Sequence, residues 1–165
     1  MKNLIVYGST TGNTENAARL IAEKLGDTSK VVSVASVSQA DIDECDLLIL
    51  GASTWGFGEL QDDWIDCPLL TTLNLNGKKV ALFGLGDQTG FSDTFVDAMG
   101  IIKESLSGQD IQYVGEWSTS GYDYSGSTAV EGENFVGLAL DEENQGDMTS
   151  ERIALWSSML KEQLK

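Results

Sequence analysis

Four hydroxyl side chains crowd one short turn: Gly8 is followed by Ser9, Thr10, Thr11, Gly12, Asn13 and Thr14. The apolar run Leu4-Ile5-Val6-Tyr7 leads into this turn, and an amphipathic stretch with Ala17, Leu20, Ile21 and Leu25 follows it. A strand that turns into a helix aims free backbone N–H groups and the positive end of the helix dipole at one point. Glycine allows close backbone approach and the hydroxyls add donors, which is chemistry for holding phosphate. A nucleoside-triphosphate loop would carry Lys-Ser/Thr after its second glycine, where this chain has Asn13-Thr14. The expectation is therefore a single terminal phosphate held without a cation.

Two further segments pair an aromatic ring with glycine. Ser53, Thr54, Trp55, Gly56, Phe57 and Gly58 form one; Gly86, Asp87, Gln88, Gly90 and Phe91 belong to the other. Both follow buried apolar runs, at the strand ends where open parallel sheets bind ligands. Trp55 and Phe91 are expected to sandwich a planar ring whose phosphate reaches the first loop. Trp64, Trp117 and Trp156 are assigned to packing. No catalytic residue and no metal site is expected. The chain has no histidine, the commonest general base and metal ligand. Cys45 and Cys67 stand in no metal-ligand spacing and read as small core or loop residues.

The elements that must position these loops are legible as an alternation. Short apolar runs at 31–34, 46–52 and 79–85 read as second, third and fourth strands. Gly26 is placed to end the first helix. Phe95, Met99, Ile102 and Leu106 fall on one face of a helix running to about Gly108, and Ile153, Trp156, Met159 or Leu160, and Leu164 form the stripe of a last helix capped by Thr149 or Ser150. The fifth strand begins at 112–115 and finishes at 138–140. The excursion between, residues 116–137, holds four aromatic residues among its glycines and reads as ordered. Strands alternating with helices imply a parallel sheet covered on both faces. A length of 165 residues fits one domain.

Twenty-six acids against ten bases give a formal net charge of −16. Nucleic acid and anionic membranes are excluded as partners, since both require a basic surface. No Lys or Arg falls between Lys30 and Lys78, between Lys79 and Lys103, or between Lys103 and Arg152. The negative potential should thus concentrate at the edge bearing the loops and steer a basic partner. No run of about 18 apolar residues is present to span a membrane, and Met1-Lys2-Asn3 enters a strand at once, so the cytoplasm is the expected compartment.

These motifs resemble the long-chain flavodoxins. The similarity runs nearly end to end: the Ser/Thr-Gly loop, Thr-Trp-x-x-Gly-Glu-Leu-Gln at 54–61, Gly-Asp-Gln-x-Gly at 86–90, the split fifth strand, and Phe-Val-Gly-Leu-Ala-Leu-Asp at 135–141. The resemblance implies a doubly wound five-stranded parallel sheet in the order 2-1-3-4-5. It also implies non-covalent FMN and a monomer that shuttles single electrons on the semiquinone/hydroquinone couple. Trp55 would stack on one flavin face and Phe91, where the family usually has tyrosine, on the other. The Gly56-Phe57 peptide would turn toward the ring. Acids at 62, 63, 87 and 141 would oppose the last electron, and partners would be basic-faced, such as a ferredoxin or flavodoxin reductase. An FMN-dependent NAD(P)H:quinone reductase and a flavin-binding regulatory module are the competing readings. A receiver domain is discarded, because the third strand ends Gly51-Ala52-Ser53 without the aspartate it needs.

Overall fold

The computed structural model describes residues 1–26 and 28–165. Its centre is a parallel sheet whose inner strands, around Ile5, Ile49 and Ala81, are apolar on both faces. β1 (Asn3–Tyr7) pairs with β2 (Ser29–Ser33) on one side and β3 (Leu47–Trp55) on the other. α1 (Asn13–Leu25) connects β1 to β2, and α2 (Gln39–Glu44) connects β2 to β3. Beyond β3 the chain makes a two-residue return strand, β4 (Glu59–Leu60), antiparallel to the end of β3, then a short helix, α3 (Pro68–Thr71). β5 (Lys79–Leu85) lies next to β3, and α4 (Asp97–Ser105) follows it.

The fifth strand is split as the sequence predicts. β6 (Gln112–Tyr113) pairs with the start of β5. The chain then leaves to form β7 (Trp117–Ser118), β8 (Val130–Glu131) and β9 (Asn134–Phe135), a small antiparallel sheet in the order β7-β9-β8. It returns as β10 (Leu138–Leu140) beside Phe83–Leu85 of β5. α5 (Glu142–Gln145) and α6 (Thr149–Gln163) close the chain. The main sheet reads β2-β1-β3-β5-β10, the 2-1-3-4-5 order once β6 and β10 count as one strand.

Alternate residues of each strand face opposite layers, so the sheet has a core on each side. Leu4, Val6, Leu48, Leu50 and Leu82 pack with Ile42 of α2, Leu69 of α3 and Met99 and Ile102 of α4. Ile5, Ile49, Ala81 and Phe83 pack with Ala18 and Ile21 of α1 and Ile153, Trp156 and Leu160 of α6. The excursion is anchored by rings: Phe95 and Phe135 lie 5.8 Å apart, centroid to centroid, and each stands 5.2–5.7 Å from both Tyr122 and Tyr124. Burial pushes the Tyr122 phenol up to about 12, and its O–H donates to the Ala139 carbonyl at 2.5 Å.

Gly26 ends α1, its N–H donating to the Ala22 carbonyl. Three helix ends differ from the sequence expectation, the first being the end of α4, which stops at Ser105, short of Gly108. α4 begins at Asp97, and Phe95 lies before it, its N–H donating to the Gly126 carbonyl of the excursion. Thr149 is the first residue of α6 and not its cap, because its hydroxyl is turned back to the Glu142 carboxylate. Cys45 and Cys67 are buried and free.

Candidate functional site

Three loops leave the carboxyl ends of β1, β3 and β5 and surround one cleft of about 330 Å³, within the range of small-molecule sites. In the first, Gly12 takes a left-handed conformation (φ 95°), which turns the chain into α1. Its N–H donates to Ser9 Oγ at 3.0 Å. Among the described residues, the N–H groups of Thr10, Thr11, Asn13 and Thr14 donate to no protein acceptor, so the loop presents unpaired donors at the start of a 13-residue helix. Thr11, Asn13 and Thr14 line the cleft. Ser9, Thr10 and Gly12 shape the loop around them. Thr10 Oγ1 accepts from Gln61 Nε2 at 3.0 Å.

The second loop is the hairpin between β3 and β4, where Trp55 pairs with Glu59 and Thr54 with Leu60. The turn uses positive φ at Gly56 (51°) and Gly58 (88°). Thr54 Oγ1 accepts from the Ala98 N–H at 2.9 Å, pinning the hairpin to α4. The Trp55 indole N–H donates to Ser53 Oγ at 2.8 Å, which orients the ring. Ser53, Thr54, Trp55 and Gly56 line the cleft. Phe57, at the tip, is 90% exposed.

From the third loop Gly86, Asp87 and Phe91 line the cleft. Asp87 holds the loop's shape: its carboxylate accepts from Gly90 N–H at 2.7 Å, Thr89 N–H at 3.0 Å and Asn144 Nδ2 at 2.8 Å. The Gly90 amide above all, with the Asn144 and Thr89 donors, holds this carboxyl below its ordinary value although partial burial opposes it. Gln88 points inward and is 5% exposed. Gly90 allows the tight return over Asp87, since a Cβ there would stand 3.1 Å from the Asp87 carboxyl carbon.

Three features were outside the sequence reading. Glu142 and Glu143 line the cleft, brought there by β10; an acidic run directly after the last strand was the available signal. Gln61, 2% exposed, ties the hairpin to the first loop. Asp141, grouped above with surface acids, is fully buried and saturated by hydrogen bonds. It therefore serves as a buried acceptor that holds the fold together.

The donor set fits a phosphate monoester carrying a flat ring. Thr11, Asn13 and Thr14 bring unpaired N–H groups and hydroxyls, Trp55 and Phe91 form walls, and among the described residues no Lys or Arg lines the cleft. A doubly wound α/β protein with loops of this kind belongs to the class that binds a nucleotide at the strand switch point. Comparison with known proteins narrows that class. The Flavodoxin family model matches residues 5–156. A flavodoxin of Synechocystis sp. is 48% identical over 161 residues, covering 95% of this chain and 94% of that protein. Flavodoxin 1 of Escherichia coli is 42% identical, covering 97% and 93%. A Fusobacterium nucleatum flavodoxin crystallised with flavin mononucleotide superposes with a TM-score of 0.89 at 32% identity, covering 99% of both chains. The chain belongs to the flavodoxin family, whose members are electron-transfer proteins and not enzymes.

Proposed function

We propose that the cleft binds FMN, with its phosphate on the 9–14 loop and its ring between Trp55 and Phe91, and that the chain is a low-potential one-electron carrier between oxidoreductases. The carrying observation is that Thr11, Asn13 and Thr14, whose N–H groups are unpaired among the described residues, line the same cleft as Trp55 and Phe91, with no Lys or Arg among its lining residues. Bound there, FMN would supply one-electron chemistry; the protein supplies position and field. The first loop would fix the phosphate by N–H and hydroxyl donation. Ser53 orients the Trp55 indole, and Asp87 folds the loop that presents Phe91. Gly56 leaves the peptide beside the ring free to reorient, because glycine tolerates positive φ at low cost. Glu142 and Glu143 place negative charge on the rim, which disfavours further electron uptake.

The reading includes a cytoplasmic monomer. The two buried free thiols are compatible with a reducing compartment, and no helix among the described residues is long and apolar enough to cross a membrane. Partners are basic-faced oxidoreductases such as a ferredoxin or flavodoxin reductase. Phe57, 90% exposed at the hairpin tip, offers an apolar contact, and Glu59, Asp62, Asp63 and Glu143 are exposed acids on the segments that follow β3 and β10. A quinone reductase is not favoured, since a nicotinamide dinucleotide's phosphates would meet no cation among the cleft-lining residues. The purified protein is expected to bind FMN one to one and to oxidise NADH no faster than free FMN. Failure to bind FMN, or rapid NADH oxidation by the chain alone, would overturn the reading.

A further inference from the structure

The excursion at 116–137 lends no residue to the cleft lining, yet its backbone runs along the third loop. The Asp123 N–H donates to Gln88 Oε1 at 2.7 Å and the Ser125 N–H to Ser92 Oγ at 2.7 Å. The Gly126 N–H donates to the Ser92 carbonyl at 3.0 Å, and the Phe95 N–H donates back to the Gly126 carbonyl at 3.1 Å. Gln88 also donates through Nε2 to Asp141 Oδ2 at 2.7 Å. That buried carboxylate accepts as well from the Gln88 N–H at 3.0 Å, the Asn144 N–H at 3.0 Å and Asn144 Nδ2 at 2.9 Å. Among the described residues no Lys or Arg pairs with it. A buried carboxylate without a counter-ion is tolerable only when hydrogen bonds saturate it. Both ends of the Gln88 amide are therefore committed, its oxygen to the excursion and its nitrogen to Asp141.

We propose that Gln88 is a positioning residue, a latch through which the excursion and buried Asp141 hold the Gly86–Phe91 loop, and with it Phe91, in ring-binding geometry. The proposal rests on the FMN reading above. Gln88 sets the ring wall and not the phosphate loop, so losing the latch weakens FMN and riboflavin by the same factor. It also gives the excursion, which lies outside the cleft, an effect on the ring.

Gln88→Met keeps the bulk and removes both interactions. In the flavin-free protein, amide exchange at Ser125 and Gly126 and at Gly90 and Phe91 is expected to accelerate together, by about tenfold. FMN and riboflavin affinities are each expected to fall about tenfold. Acceleration confined to Asp123, or an FMN affinity within twofold of the native value, overturns the proposal.

Should that variant fail to fold, Gln88→Glu decides. Its ionised carboxylate would face Asp141, with Asp87 reached through Asn144 and Asp123 on the excursion side; Arg152 lies over the Tyr122 ring, 4.1 Å from its centroid. Once protonated, the new carboxyl can donate to Asp141 and accept from the Asp123 N–H as the amide does. Riboflavin affinity should be weak at neutral pH and recover toward the native value as pH falls. A pH profile parallel to that of the native protein overturns the latch. Because amide exchange is read without flavin, failure of the FMN reading would leave that arm informative.

Discussion

Replacing Trp55 with alanine tests the ring wall with least ambiguity, because little of the fold depends on it. The side chain is 41% exposed, and its one polar contact is the 2.8 Å bond from its indole N–H to Ser53 Oγ. Folding stability should therefore change little, while ligand stacking is lost. Base–aromatic stacking is worth about 1–3 kcal/mol by alanine substitution, so FMN affinity should fall roughly 5- to 150-fold, at about 1.4 kcal/mol per tenfold. Riboflavin affinity should fall by the same factor, since the phosphate loop is untouched. Ser53→Ala removes only the bond that orients the indole, worth about 0.5–1.5 kcal/mol, or roughly two- to tenfold. The double variant should then bind no more weakly than Trp55→Ala alone, because Ser53 acts through the ring it orients. Quenching of flavin fluorescence on titration with apoprotein reads all three. A Trp55→Ala protein binding FMN within twofold of the native value would refute the stacking wall. Additive losses in the double variant would refute the orienting role of Ser53.

Gly12→Ala meets nothing within 4 Å of the new Cβ, so its effect is backbone strain at φ 95°, about 1–2 kcal/mol; FMN affinity should fall while riboflavin affinity stays nearly constant. The Asp41 carboxyl is held down to about 2 by Lys30 and by Ser38 at the α2 cap. A depressed folded value means stability that is full above the ordinary carboxylate range and is lost as pH falls from about 4 toward 2. Asp41→Asn should flatten the acid limb of the urea-midpoint profile in that window, and an unchanged limb would refute the assignment. Neutralising Asp62, Asp63 and Glu143 together should make the second one-electron midpoint less negative by tens of millivolts, at about 0.4 kcal/mol per charge 10 Å away in bulk-water dielectric. The same variant should weaken the ionic-strength dependence of association with a basic reductase, measured by stopped flow.

The sheet was legible because its strands are short, continuously apolar and set between helical stripes, and burial on both faces requires that pattern. The split fifth strand could also be read, since its halves keep the composition of a buried strand on either side of a glycine-rich and aromatic stretch. β4 could not, because a two-residue strand has no periodicity and exists only where Trp55 and Thr54 offer it a partner. The loops were found by residue type, but type did not tell which residues face the cleft. Gln88 lies in a binding motif and turns away from the cleft toward Asp141, a partner 53 positions along the chain. Asp141 looked like another solvated acid until burial and four donors made it structural. Contacts made across tens of residues leave no local signature, whereas strand ends and glycine turns do.

A cation-free, acid-rimmed cleft should stabilise FMN for single-electron traffic at low potential. Potentiometric titration of the FMN-loaded protein, followed by absorbance, tests it most directly. Two resolved one-electron steps are expected, the second well below the potential of free FMN. One two-electron wave at the potential of free FMN would contradict it.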